Sequence, residues 1–221
     1  MADDLPLRMS WMGEGAILCD TDADGLDLAR QERFWALADR LAGTTNYLDI
    51  VPGMNNLLVR FDPLVIAGEA AMAEIGMMWQ RAERRQGSGR LIDIPVRYGG
   101  ADGEDLSEVA AVAGLSPRDY VERHAGGRYT VFAIGSQPGF GYLAGLDPAL
   151  AVPRRAVPRV SVDAGCVVIG GAQAGVISRR SPSGWHIIGR TDVSFFDPVA
   201  ERPALLAPGD TIRFQIESLN L

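Results

Sequence analysis

The first third of the chain alternates between two hydrophobic periods. Leu7 to Met12 and Ala16 to Cys19 are short apolar runs on either side of Gly13-Glu14-Gly15, the pattern of a β-hairpin. From Gly25 the period lengthens. Phe34, Leu37, Ala38 and Leu41 recur at i, i+3, i+4 and i+7 among Arg30, Glu32, Arg33, Asp39 and Arg40, which predicts an amphipathic helix with one buried face. Tyr47 to Val51 and Leu57 to Phe61 predict two strands separated by Pro52-Gly53. Asp62-Pro63 then introduces a second helix carrying Ile66, Ala70, Ala73 and Met77. The order ββαββα suggests a sheet covered by helices, close to ferredoxin-like.

An arginine-rich, glycine-containing run from Arg81 to Arg90 interrupts this pattern. It reads as a solvated hinge rather than an anion site, and 86–90 is the expected linker. Beyond it Leu91 to Tyr98 predicts a strand, and Leu106 to Ala113 and Pro117 to His124 predict two short helices. Short strands follow at Tyr129 to Ile134, Val167 to Ile169, Gly175 to Ser178, His186 to Gly189 and Thr211 to Ile216, punctuated by Gly and Pro. Many short strands of this kind argue for a small barrel. The expected fold class is α+β, with an N-terminal ferredoxin-like α/β domain over 1–85 and a β-barrel domain over 91–221.

Composition narrows the function classes. The chain has 221 residues, 47% hydrophobic and 22% charged, which excludes a disordered tail. Its 21 basic residues against 28 acidic ones give a net charge of −7, so no broad basic surface is available for nucleic acid. All the basic residues are arginine. Without lysine, Schiff-base catalysis and a G-x-x-x-x-G-K-[ST] phosphate loop are excluded, and arginine alone remains to hold anions. Cys19 and Cys166 lie far apart and the only histidines are His124 and His186, so no metal site is expected. Met1-Ala2-Asp3-Asp4 lacks the positive start of a signal peptide, and Val65 to Trp79 is interrupted by Glu69 and Glu74. The expectation is a soluble cytoplasmic protein with no membrane association.

The densest cluster of special residues runs from Gly135 to Thr191. Phe140 and Tyr142 follow a Pro-Gly turn at i and i+2; they either line a pocket or cap the barrel core. Arg154, Arg155 and Arg159 are presented by proline-stiffened chain, either to a carboxylate or phosphate or to local acids such as Asp147 and Asp163. Gly170 to Gly175 lets a ligand approach the backbone closely, but lacks phosphate-loop spacing. In Ser183 to Thr191, strand alternation would put His186, Ile188 and Arg190 on one face, so His186 and Arg190 could share a pocket. His186 is then either an acid–base group or a hydrogen-bonded structural residue. His124, at a predicted helix end, reads as a C-terminal cap.

These segments carry a resemblance. Gly135 to Leu143, Leu146-Asp147-Pro148 through Pro158-Arg159, and Gly184-Trp185-His186-Ile187-Ile188-Gly189-Arg190-Thr191 resemble the family of 5-oxoprolinase B subunits. It is also known as the KipI or allophanate hydrolase subunit 1 family, or carboxyltransferase subdomain C/D. Val51-Pro52-Gly53, Tyr98-Gly99-Gly100, Asp105-Leu106 and Pro208-Gly209-Asp210 agree as well, so the likeness covers nearly the whole chain.

The resemblance implies a cyclophilin-like barrel and a C-type partner (allophanate hydrolase subunit 2-like), with an A-type protein (LamB/YcsF-like) as the third member. Together such proteins hydrolyse 5-oxoproline to glutamate while consuming ATP. Other relatives form the carboxyltransferase part of biotin-dependent urea carboxylase, and one branch inhibits a sensor histidine kinase. For such an enzyme subunit the residues themselves point to His186 and Arg190 as the expected catalytic groups, with Phe140, Tyr142, Arg154, Arg155, Arg159 and Gln173 expected to bind substrate. Departures are Gly141 where relatives usually have proline, and Ala172, Ala174 and Val176-Ile177 where they commonly have a carboxylate, a hydroxyl and an aromatic.

Overall fold

Two hairpins build the first sheet of the computed structural model, which describes residues 6–84 and 89–221. Strand β1 (Leu7–Trp11) pairs with β2 (Ala16–Thr21) from Leu7 opposite Thr21 to Trp11 opposite Ile17. Strand β3 (Tyr47–Pro52) pairs with β4 (Leu57–Phe61) in the same antiparallel sense. β2 and β4 meet in the centre, giving the order β1-β2-β4-β3. This is the order obtained when the last strand of a ferredoxin-like βαββαβ unit is moved to the front of the chain.

Helix α1 (Leu28–Ala42) starts where the Asp27 carboxylate accepts the Arg30 N–H at 2.7 Å, satisfying a free helix-end donor. It buries Phe34, Leu37, Ala38 and Leu41, the four positions its period predicts. Helix α2 (Gly68–Gln80) buries a different stripe from the expected one: Ala71, Ile75 and Trp79 face the core while Ala70, Ala73 and Met77 are exposed. Both stripes are apolar. The winning one contains the Trp79 ring, which packs on Phe34 with centroids 5.0 Å apart and removes the larger apolar area from water.

The chain divides into two compact units, Met1–Gly87 and Ser88–Leu221. Of the expected linker, 86–88 lie outside the described residues. Gly89 and Arg90 belong to the second unit: the Arg90 N–H donates to Asp210 Oδ1 at 2.9 Å, and the Thr211 N–H to the Arg90 carbonyl at 2.8 Å.

The second unit opens with β5 (Leu91–Gly99), α3 (Leu106–Val112) and α4 (Pro117–Gly126). Strands β6 (Tyr129–Ile134), β7 (Gly141–Ala144), β8 (Arg159–Val162), β9 (Cys166–Gly170) and β10 (Gln173–Val176) follow. β11 (Ser181–Ser183), β12 (His186–Arg190) and β13 (Thr211–Asn220) complete it. Seven strands close into a barrel in the order β10-β7-β6-β13-β5-β12-β9, while β8 and β11 form a separate two-stranded ribbon. The β5–β13 pair is parallel and runs from Leu91 opposite Thr211 to Gly99 opposite Asn220; the other barrel pairs are antiparallel.

The barrel core contains Ile94, Val96, Tyr98, Tyr129, Val131, Ile169, Ile188 and Phe214. His124 joins it from α4, and this corrects its expected role as a cap. Its ring is fully buried, stacks on Phe214 at 4.6 Å, and has Nδ1 2.8 Å from the Tyr98 hydroxyl. Burial pushes its pKa down to about 3, so the imidazole is neutral and carries no charge for the helix dipole to attract. Among the described residues, no helix is long and apolar enough to cross a membrane.

Candidate functional site

Asp105 anchors the region where the sequence placed its arginines. It precedes α3 but makes no capping bond to it. Its buried carboxylate accepts instead from Arg155 Nη1 at 3.1 Å, Arg159 Nη1 and Nη2 at 2.9 and 2.8 Å, and the Ile187 N–H at 2.7 Å. Burial alone would raise its pKa. The Arg159 hydrogen bonds, the Ile187 N–H and the two guanidinium charges outweigh that, and the carboxyl sits below its ordinary value. Asp105 thus ties the Pro153–Pro158 strap and β8 to β12 through charge-assisted bonds.

One face of the strap borders a cavity of about 300 Å³. Its aromatic wall comes from Phe140, Tyr142 and Trp185. Phe140 stands edge-on to both neighbours, with centroids 5.0 Å from Tyr142 and 5.8 Å from Trp185. Gly139 turns the chain into Phe140 at φ +76°, where a Cβ would lie 2.5 Å from the Phe195 carbonyl oxygen; only glycine fits. Trp185 lies flat over Gly170, whose added Cβ would meet the indole at 2.6 Å. Arg154 adds a guanidinium 5.5 Å over the Trp185 ring, a cation–π contact. Its charge has no carboxylate partner among the described residues. Gln137 contributes a buried Oε1 that accepts no hydrogen bond from the described residues.

The strap's other face borders a second cavity of about 480 Å³. Arg154 and Arg155 line both cavities, and Glu108, Val109, Val152 and His186 line the second. His186 Nε2 lies 3.0 Å from the Pro153 carbonyl oxygen. Because a carbonyl only accepts, Nε2 carries the hydrogen and, in the neutral ring, Nδ1 holds the lone pair. Nδ1 is buried and has no partner among the described residues. Oxygens of Asp105 and Glu108 and a nitrogen of His186 lie within 4.8 Å of one another. A metal ion there would compete with two guanidiniums for a carboxylate that already accepts four hydrogen bonds.

The structure therefore brings Phe140, Tyr142, Arg154 and Arg155 to one cavity and His186 to its neighbour, while Arg159 is held by Asp105. It does not put Arg190 beside His186. The expected alternation fails because β12 carries a bulge: His186 pairs with Ile169 and Ile187 with Val168, but Gly189 pairs with Val167 and Arg190 with Cys166. The extra residue shifts the later side chains by one, so His186 and Arg190 fall on opposite faces. Arg190 instead makes a 3.4 Å pair with Asp102 and lines another cavity with Ala164 and Thr191. Gln173 sits on β10 opposite Gly170 and lines neither strap cavity.

Three groups were missed by sequence reasoning as site residues: Asp105, Trp185 and Gln137. Asp105 has the appearance of an ordinary helix cap in sequence. Trp185 did carry a signal, since the facing glycines Gly170 and Gly175 make room for a large ring.

The departures from the family pattern also have places. Ala174 is fully buried in the barrel core and Ile177 lines the aromatic cavity, whereas Ala172 is exposed.

Comparison with known proteins gives a consistent picture. Residues 7–206 match the family described as the carboxyltransferase domain, subdomain C and D. The chain is 44% identical over 208 residues to the 5-oxoprolinase B subunit of Escherichia coli O157:H7, covering 94% of each. It is 39% identical over 210 residues to the 5-oxoprolinase B subunit of Haemophilus influenzae, covering 95% of this chain and 98% of that one. Among solved structures, TTHA0988 superposes with a TM-score of 0.78 at 35% identity over 92% of this chain; the match spans 40% of the TTHA0988 chain.

Proposed function

Because the chain belongs to the family of the carboxyltransferase domain, subdomain C and D, we propose that it is the B-type subunit of a 5-oxoprolinase. In this reading the complex opens the lactam of 5-oxoproline to glutamate, with ATP hydrolysis driving the cleavage. The observation that carries the reading is the 44% identity to a 5-oxoprolinase B subunit over 94% of both chains. The chemistry of the strap region supports it: an aromatic wall, apolar side chains and one unpaired guanidinium suit a small, compact carboxylate.

The same inventory argues against placing ATP at the strap. A triphosphate calls for several cations or a backbone cradle. Of the strap arginines, Arg155 and Arg159 are engaged by Asp105, which leaves Arg154. In this reading nucleotide handling and completion of the catalytic set fall to partners of the C and A types. Within this chain Arg154 takes the substrate carboxylate, Phe140, Tyr142 and Trp185 exclude water, and Asp105 fixes the strap that presents them.

The family description itself favours one second reading, a carboxyltransferase-type subunit. With no lysine in the chain, biotin would then arrive on another protein. Purified chain mixed with its C- and A-type partners separates the two. The 5-oxoprolinase reading expects glutamate formation coupled to ATP hydrolysis and dependent on 5-oxoproline. No turnover of 5-oxoproline by the full mixture, with carboxyl transfer from carboxybiotin in its place, would replace the first reading by the second.

A further inference from the structure

The end of the first sheet where β1 passes into β2 and β4 into α2 carries large apolar side chains in solvent. Trp11 and Met12 are 48% and 53% exposed, and Leu64 and Val65 are 95% and 73% exposed. They form one group. The Phe61 N–H donates to the Gly15 carbonyl at 2.9 Å, and the Trp11 ring stands 6.5 Å from Phe61 and lies against Gly68, where an added Cβ would clash with it. Leu64 and Val65 are held outward by a fixed turn. The Asp62 carboxylate accepts the Leu64 N–H at 2.9 Å, the Asp62 carbonyl accepts from Val65 and Ile66 at 3.0 Å, and Ile66 packs against the core. Such a turn presents both side chains at little entropic cost. Glu14 and Glu69 flank the group, both exposed, while the sheet's own cations Arg8 and Arg60 pair with Asp20 and Asp49. Large apolar groups gathered in one place mark an interaction surface, where scattered single ones do not.

Residues 7–206 match two subdomains, C and D, of the carboxyltransferase domain, so the other subdomains of that domain lie outside them. In TTHA0988 the stretch matched by this chain is 40% of a longer chain. Parts of one domain meet through permanent, apolar contacts that resemble a core cut in half. We propose that this apolar end of the first unit is the seat of those remaining subdomains, carried by the C-type partner of the proposed function, on which the inference rests. The partner surface it fits is an apolar groove bordered by lysine or arginine. The carboxylates of Glu14 and Glu69 favour such a rim. They oppose a second copy of this chain, whose own rim would meet them with like charge, and they oppose an anionic lipid surface. Val112 and Val157 are exposed too, but they border the second strap cavity.

The test is the affinity of the full chain for its C-type partner by titration calorimetry, with thermal melting of each free variant as a folding control. Leu64→Glu and Val65→Glu each replace a side chain in solvent and should melt within about 2 °C of wild type. Each should bind the partner about tenfold more weakly or worse. Glu14→Lys with Glu69→Lys should weaken binding more at low salt than at high salt. Val199→Glu, at a position 90% exposed in the second unit, should bind as wild type does. Wild-type affinity in both Leu64→Glu and Val65→Glu overturns the proposal. So does an equal loss in Val199→Glu, or a wild-type chain that does not bind the C-type partner. Self-association of the wild-type chain, or its pelleting with phosphatidylcholine vesicles, overturns it as well if Leu64→Glu abolishes that and leaves partner binding intact. If the variants keep full affinity in a complex that turns over 5-oxoproline, the proposed function stands and only the docking falls. If the partner seats here but the complete complex never turns over 5-oxoproline, the function falls and the docking stands.

Discussion

Replacing Asp105 by asparagine keeps the shape of the side chain, removes its charge and turns one acceptor oxygen into a donor facing donors. The wild-type carboxylate accepts four hydrogen bonds, at 3.1 Å from Arg155, 2.9 and 2.8 Å from Arg159 and 2.7 Å from Ile187. Removing one partner of a buried ion pair costs about 3–5 kcal/mol. The Arg155 and Arg159 side chains are 28% and 20% exposed and recover part of their hydration, which lowers the expectation to roughly 2–4 kcal/mol. For a unit the size of Ser88–Leu221 this corresponds to a fall in Tm of roughly 6–16 °C.

The assay is thermal melting of wild type, Asp105→Asn, Arg159→Met and the double variant. The double variant should melt close to Asp105→Asn, with a coupling of about 1 kcal/mol or more. The pH dependence supplies an independent check. A carboxyl held below its ordinary value of 3.8 contributes stability that is fully present above that pH and lost as pH falls through the lowered value. The gap between wild type and Asp105→Asn should therefore narrow in acid. A Tm change under about 2 °C, or strictly additive single-variant effects, would refute the role given to Asp105.

Further outcomes follow from the same geometry. His124, neutral with a pKa pushed down to about 3, adds stability that is fully present above its ordinary 6.5 and declines as pH falls toward 3. Melting at pH 7.5 and 5.0 should show a loss of up to about 1.4 kcal/mol per pH unit below 6.5 in wild type but not in His124→Phe. Equal slopes would contradict this. Arg154→Ala removes an exposed guanidinium without a carboxylate partner among the described residues and should leave stability within about 0.5 kcal/mol while raising KM for 5-oxoproline roughly 10- to 100-fold in the assembled complex. An unchanged KM would remove Arg154 from substrate binding. Arg190→Gln breaks a half-buried 3.4 Å pair with Asp102 and should leave KM unchanged; a KM shift comparable to that of Arg154→Ala would return it to the site.

The elements whose burial follows from one dominant period were legible in the sequence. The four positions of α1 at i, i+3, i+4 and i+7 are its buried face, and Tyr129 to Ile134 is a strand over its whole expected span. Where two apolar stripes compete, as in α2, local period does not choose between them; the contact of Trp79 with Phe34 does. The short strands Gly141–Ala144 and Arg159–Val162 lie in segments whose glycine and arginine content read as loop; pairing, of the first within the barrel and of the second with Ser181–Ser183, overrides that propensity.

At the site, Phe140, Tyr142, Arg154 and Arg155 lie close in sequence on stiff turns and end up together. Pairing Arg155 and Arg159 with Asp105, some 50 positions away, is a tertiary event with no local signature. The same holds for the bulge in β12, which separates His186 from Arg190 by slipping one residue of register.

The central claim is that this chain is one component of a 5-oxoprolinase and is incomplete alone. The most direct measurement is 5-oxoproline-dependent ATP hydrolysis, with glutamate quantified in parallel, for the purified chain alone, with a C-type partner, and with C- and A-type partners together. The expected result is no substrate-dependent turnover alone and equimolar ADP and glutamate once the partners are present. Substantial 5-oxoproline-dependent ATP hydrolysis by the chain alone, or none by the complete mixture, would contradict it.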